Sequence, residues 1–116
     1  MMDVLGNLHK FYIRCGYTDM RKQIDGLVAI VQSQVEMGEG TLFLFCGKRA
    51  DRIKGLFWDG TGYVLVYKRL SSSRFQWPRN KEDLKQITAQ EYRWLMEGLS
   101  IYQAKAIRPT EQRSMF

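Results

Sequence analysis

Histidine occurs once in this chain, and cysteine and proline twice each. No uninterrupted apolar run is longer than the five residues of 42–46. Each scarcity excludes a class. Two cysteines, Cys15 and Cys46, cannot frame a disulfide scaffold, and their spacing is not that of paired metal ligands. One histidine, His9, cannot complete a His/Cys zinc site alone, and no serine or cysteine stands in a G-x-S-x-G turn. Five apolar residues fall far short of the ~20 that span a bilayer. Residues 1–10 show no basic start followed by an apolar stretch and a small-residue cleavage site, so a cytoplasmic protein without a membrane partner is expected. With 116 residues, 45% of them apolar and 26% charged, the chain is sized and composed for one ordered domain rather than for disorder or low complexity.

Charge is present in excess of one sign, and it is concentrated. The chain carries a formal +6; residues 48–81 alone carry +7, and all the others together −1. Such asymmetry speaks of partners rather than fold, and it favours a polyanion. The plainer reading is a solvated basic surface, since no dense Lys/Arg tract occurs.

Periodicity places these charges on a scaffold. Phe11, Ile13 and Cys15 alternate with Tyr12 and Arg14, which predicts a strand over 11–16. Met20, Ile24, Leu27, Val28, Val31 and Val35 fall on one side of a helix, for which Thr18 or Asp19 is the candidate cap. Gly26 in that helix suggests the close approach of another element. Residues 41–46 read as a central strand covered on both faces. Strands over 53–58 and 63–68 flank Asp59-Gly60-Thr61-Gly62, a hairpin turn, and a short fifth strand over 74–77 completes a predicted three-stranded meander. Residues 82–87 read as a turn of helix. Thr88-Ala89-Gln90-Glu91 is a capping box ahead of an apolar stripe of Tyr92, Leu95, Met96 and Leu99. The expectation is a single α+β domain over residues 1–109, in the order β-α-β-β-β-β-α with a largely antiparallel sheet, and a flexible tail over 110–116.

Catalytic patterns fail on inspection. Gly47-Lys48 resembles the end of a phosphate loop, but Leu42 stands where its first glycine belongs and Arg49 where Ser or Thr would hold magnesium. Gly60-Thr61-Gly62 has Leu65 where the third dinucleotide-binding glycine would be, and precedes a strand. Asp51 and Asp59 bracket the third strand, and Asp19 and Asp25, six apart, point in different directions; Asp19 as a cap, Asp25 as a solvated residue and Asp59 as a turn former are simpler than a two-metal nuclease centre. No cofactor and no metal are expected. The interleaving of Phe57, Trp58, Tyr63, Tyr67, Phe75 and Trp77 with cations suits stacking on bases. Alternation in Arg74-Phe75-Gln76-Trp77, however, sets the aromatics apart from Arg74 and favours a core role for them.

Tyr12-Ile13-Arg14-Cys15-Gly16-Tyr17-Thr18-Asp19-Met20-Arg21-Lys22, Leu42-Phe43-Leu44-Phe45-Cys46-Gly47-Lys48-Arg49, Arg74-Phe75-Gln76-Trp77-Pro78 and Trp94-Leu95-Met96-Glu97-Gly98-Leu99 stand in one order along the chain. In this the chain resembles the Orf2-like accessory proteins, also called TnpB, of insertion-sequence-66-type bacterial transposable elements. The resemblance spans about residues 12–109. It implies a protein that assists transposition beside the element's transposase, with no assigned catalytic residues. The expected function is therefore a non-enzymatic accessory of transposition that binds element DNA through a basic sheet face carrying Lys48, Arg49, Arg52, Lys54, Lys68, Arg69, Arg74 and Arg79. The alternative is an adaptor docking on the transposase or another element-encoded protein without touching DNA, with Trp94 and Met115-Phe116 as candidate contacts.

Overall fold

A computed structural model describes residues 6–81 and 83–107. Five strands, β1 (Lys10–Arg14), β2 (Thr41–Cys46), β3 (Arg52–Trp58), β4 (Tyr63–Arg69) and β5 (Leu84–Ile87), form one sheet in the order β4-β3-β2-β1-β5. Only β1 and β2 are parallel, joined through helix α1 (Ile24–Gln32); the other three pairings are antiparallel. Helix α2 (Ala89–Met96) follows β5. The α+β class with a largely antiparallel sheet is as expected.

The central strand explains the layering. All six residues of β2 are buried, and alternation sends Phe43 and Phe45 to one face and Leu42, Leu44 and Cys46 to the other. Phe43 and Phe45 pack with Leu56 against Leu27, Val28 and Val31 of α1. The opposite set packs with Phe11, Ile13, Ile53 and Phe57 beneath Leu95 of α2, together with Phe75, Trp77 and Ile101. The capping box at Thr88 and Glu91 is formed as predicted.

Four local expectations are corrected. Residues 74–77 are not a strand, although Phe75 and Trp77 are buried and Arg74 and Gln76 exposed as the alternation requires. Their backbone is used at single points instead: Phe75 N–H donates to Ala50 O, and Pro78 O accepts from Gly16 N–H. The fifth strand is Leu84–Ile87, where a helical turn was expected, because pairing with β1 satisfies its backbone; Glu82 lies outside the described residues. Helix α1 starts only at Ile24, and neither Thr18 nor Asp19 caps it. The Asp19 carboxylate accepts from the Arg21 N–H and guanidinium, Thr18 Oγ1 accepts from Arg14, and the N-cap Gln23 makes no side-chain capping bond. The three nearest atoms to a Cβ built at Gly26 all belong to the Lys22 side chain, the closest at an ordinary 3.5 Å, so tight packing does not demand a glycine there. The tail proposed over 110–116 lies outside the described residues.

Both cysteines are buried and free. Burial pushes the Cys46 thiol up to about 12 and raises that of Cys15, with Asp83 adding to the latter. Thiolates are the reactive form. A disulfide-exchange reagent at about pH 8 is therefore expected to leave the folded protein unmodified and to titrate two thiols once denaturant is added. Reaction of either thiol in native buffer at the rate of a free cysteine would contradict this burial.

Candidate nucleic-acid interface

Because β1 and β2 run parallel, the loops that follow them leave the sheet at the same end. Antiparallel pairing brings the start of β3 and the finish of β4 to that end too. Hydrogen bonds tie the loops together. Thr18 N–H donates to Cys46 O at 2.8 Å, Leu70 N–H to Asp51 O at 2.7 Å, and Arg74 Nη1 to Arg49 O. Three segments far apart in the chain thus build one surface.

The turn between β2 and β3 is its centre. Ala50 N–H closes on Gly47 O, and Gly47 N–H on Arg52 O. Ala50 adopts φ of 60°, a left-handed conformation that costs a non-glycine residue about 1–2 kcal/mol. Its methyl is buried among the core residues, which gives an alanine a use there that glycine would lack. At Gly47 a Cβ would come within 2.7 Å of Met20 Cγ. A side chain in place of the glycine of the Gly47-Lys48 pair would thus force Met20, on the loop after β1, to move. The tight turn presents Lys48 and Arg49 to solvent.

Six of the eight cations singled out from the sequence gather around this turn. Lys48, Arg49 and Arg52 line an open depression of about 440 Å³ with Thr18, Asp19, Met20, Arg21 and Asp51. Arg69 lies directly across from Arg52 in the β3–β4 register. Arg74 is bonded to the backbone of Arg49, and Arg79 stacks over the Tyr17 ring with 5.3 Å between guanidinium carbon and ring centroid. Arg74 and Arg79 line a neighbouring depression of about 420 Å³ with Tyr17, Gln76, Ser100 and Tyr102. Tyr17 and Tyr102 were not singled out from the sequence; Tyr17 adjoins Gly16 in the first quoted block, and nothing local marks Tyr102.

The other two cations are elsewhere. Lys54 is only 4% exposed, on the α1 face beside Phe45, and its ammonium donates to Lys22 O at 2.7 Å and approaches the Tyr67 ring. It ties β3 to the segment leading into α1 and offers nothing to a phosphate. Lys68 is exposed but points to the opposite face, along a groove with Leu8, Val66, Tyr92 and Met96. The basic surface is therefore an end of the sheet and not one of its faces, both of which are occupied by the cores.

Acids temper the cluster without cancelling it. Asp19 is held by Arg21 at 2.8 Å, and that bidentate partner brings its carboxyl down to about 2. Asp51 sits 3.8 Å from Arg52 Nε, too far for a hydrogen bond. Lys48, Arg49, Arg69, Arg74 and Arg79 have no ion-pair partner among the described residues. At the opposite end of the sheet lie Glu36, Glu39 and the 59–62 hairpin, where backbone N–H groups of Thr61 and Gly62 lower the Asp59 carboxyl. The molecule is polarised along its strands. Among the described residues no group of three or more His, Cys, Asp or Glu side chains is placed to hold a metal ion, and no helix is long and apolar enough to cross a membrane.

A family model described as IS66 Orf2 like protein matches residues 9–106. Two proteins of Sinorhizobium fredii are similar: uncharacterized protein y4jC, 35% identical over 80% of this chain and 84% of its own, and uncharacterized protein y4hO, 32% identical over 78% and 80%. No solved structure matches the chain. The matched segment contains the whole described sheet, α1, α2 and all six converging cations, and the chain belongs to the IS66 Orf2-like family, as a transposition-associated accessory protein.

Proposed function

We propose that the protein serves transposition by binding DNA through the basic end of its sheet, mainly by contacts to phosphates and without catalysis. The observation that carries this reading is the convergence of Lys48, Arg49, Arg52, Arg69, Arg74 and Arg79 around one strained turn, with five of them free of acidic partners among the described residues. Phosphate neutralisation releases condensed counterions and gives affinity that is largely independent of sequence. Arg79 over Tyr17, with Tyr102 nearby, adds a flat surface on which an unpaired base could stack.

Fluorescence anisotropy with labelled element-end and scrambled DNA over a salt series tests it. About five neutralised phosphates give a slope of log K against log salt near −4 to −5. Absence of binding at low salt, or binding indifferent to salt, would remove the reading.

The adaptor reading is favoured by a different feature, the apolar groove of about 390 Å³ between α2 and the β3–β4 side of the sheet. Trp94 is half-buried on α2, and Met115 and Phe116 lie outside the described residues. Co-purification with the transposase that survives nuclease treatment would support this second role.

A further inference from the structure

The sheet has two edges, and they are finished differently. Strand β5 is four residues long, exposes Lys85 and Gln86, and has its Leu84 N–H occupied by Gln34 Oε1 at 3.1 Å. Short, charged and covered edges resist pairing with another chain. Strand β4 has none of these protections over most of its length: seven residues, Tyr-Val-Leu-Val-Tyr-Lys-Arg, with no proline and its only charges at the last two positions.

The ladder fixes which backbone groups it leaves open. Asp59 N–H bonds Gly62 O at one end of the β3–β4 pairing and Leu70 N–H bonds Asp51 O at the other. Bonded pairs alternate with non-bonded ones in an antiparallel ladder. The bonded pairs are therefore Phe57 with Val64, Gly55 with Val66 and Ile53 with Lys68. Tyr63, Leu65, Tyr67 and Arg69 turn their N–H and C=O groups outward, and no hydrogen bond among the described residues uses them.

We propose that this edge pairs with the β4 edge of a second copy of the chain, antiparallel about a two-fold axis at Val66. Only that register matches all four outward residues of each strand: Tyr63 with Arg69 and Leu65 with Tyr67, each twice. Val66 then faces Val66, and Val64 faces Lys68, so no like charges stand opposite one another. Tyr67, 52% exposed in the single chain, is covered by Leu65 of the second copy, and Arg69 meets the Tyr63 ring. Charge favours the same arrangement. Antiparallel pairing lays the basic end of each copy alongside the 59–62 hairpin of the other, which carries Asp59 and is flanked by Glu39. The two basic ends are left outward, at opposite ends of one continuous sheet.

The test uses the full chain without nucleic acid, and no substituted residue belongs to the six converging cations, so its failure is separate from that of DNA binding. Sedimentation equilibrium over a dilution series is expected to show a monomer–dimer equilibrium. Tyr67→Pro removes an outward N–H and no bond to β3, a position at which edge strands tolerate proline; it is expected to weaken the dimer by about tenfold or more while the chain stays folded by circular dichroism. Val66→Cys is the second measurement. Facing residues of a non-bonded pair lie ~4.5 Å apart at Cα, within disulfide range. Mild oxidation should cross-link Val66→Cys to itself but not Gly62→Cys, which faces Leu70; Cys15 and Cys46 are buried. A monomer at every concentration, a dimer that Tyr67→Pro leaves unchanged, or equal cross-linking at both positions would overturn the proposal.

Discussion

Replacing Lys48, Arg49 and Arg74 together with alanine is expected to weaken DNA binding by two to three orders of magnitude at about 50 mM salt. Each phosphate contact contributes about 0.9 to the slope of log K against log salt, so at that salt concentration each is worth roughly a factor of ten. Losing three contacts of about five moves the slope from near −4.5 to near −2. The three side chains are exposed, and the hydrogen bond they give up is that of Arg74 to Arg49 O, so the midpoint of urea unfolding should hardly move. Lys54→Met supplies the opposite pattern. Its buried ammonium satisfies Lys22 O, so its loss should cost about 1–3 kcal/mol of stability and leave the salt slope unchanged. Anisotropy titrations and urea curves on the same two proteins separate the roles. A triple variant with unchanged slope would place DNA contact elsewhere on the molecule.

The fate of Lys54 shows where sequence reading reaches and where it stops. Alternation along β3 groups Lys54 with Leu56 and Trp58 on one face, so burial of its stem beneath α1 follows from the strand itself. What no local pattern reveals is Lys22 O, thirty-two residues away, which makes a buried ammonium tolerable. The same division runs through the fold. Strand β2, the 59–62 hairpin and the capping box of α2 depend on neighbours in the chain, and each was legible. Strand β5 was not, because Leu84-Lys85-Gln86-Ile87 has no apolar alternation and is a strand only through pairing with β1, some seventy residues earlier. Residues 74–77 fail in the reverse sense: the side-chain periodicity was right and the partner was missing.

The basic surface follows the same logic. The excess charge in residues 48–81 was visible, but a sheet face was the wrong place for it, since cores occupy both faces. Its concentration at one end depends on the parallel pairing of β1 with β2, which lines up the exits of both strands. Arg21 and Tyr17 joined the surface through that pairing, from outside the basic third of the chain.

Trp77→Ala is expected to cost about 3–5 kcal/mol, a large share of the 5–15 kcal/mol that stabilises a typical domain. Trp77 is 5% exposed, packs in the core beneath α2 with Phe75, and donates its indole N–H to Arg14 O at 2.8 Å. It is the anchor of a segment that has no ladder of its own. Among the described residues, the Phe75 and Pro78 backbone bonds, the buried Phe75 ring and the Arg74 and Arg79 side-chain contacts are what otherwise hold residues 73–79 in place, and Arg74 and Arg79 ride on that segment. Trp77→Phe keeps most of the apolar area and loses the hydrogen bond, so a smaller loss of about 1–2 kcal/mol is expected. Urea midpoints with unchanged m-values measure both. Because the alanine variant frees the strap that carries two of the six cations, its DNA affinity should fall even under conditions where circular dichroism reports it folded. The phenylalanine variant should bind as the native protein does. Equal affinities for the alanine and native proteins would mean that the packing of this segment has no part in positioning Arg74 and Arg79.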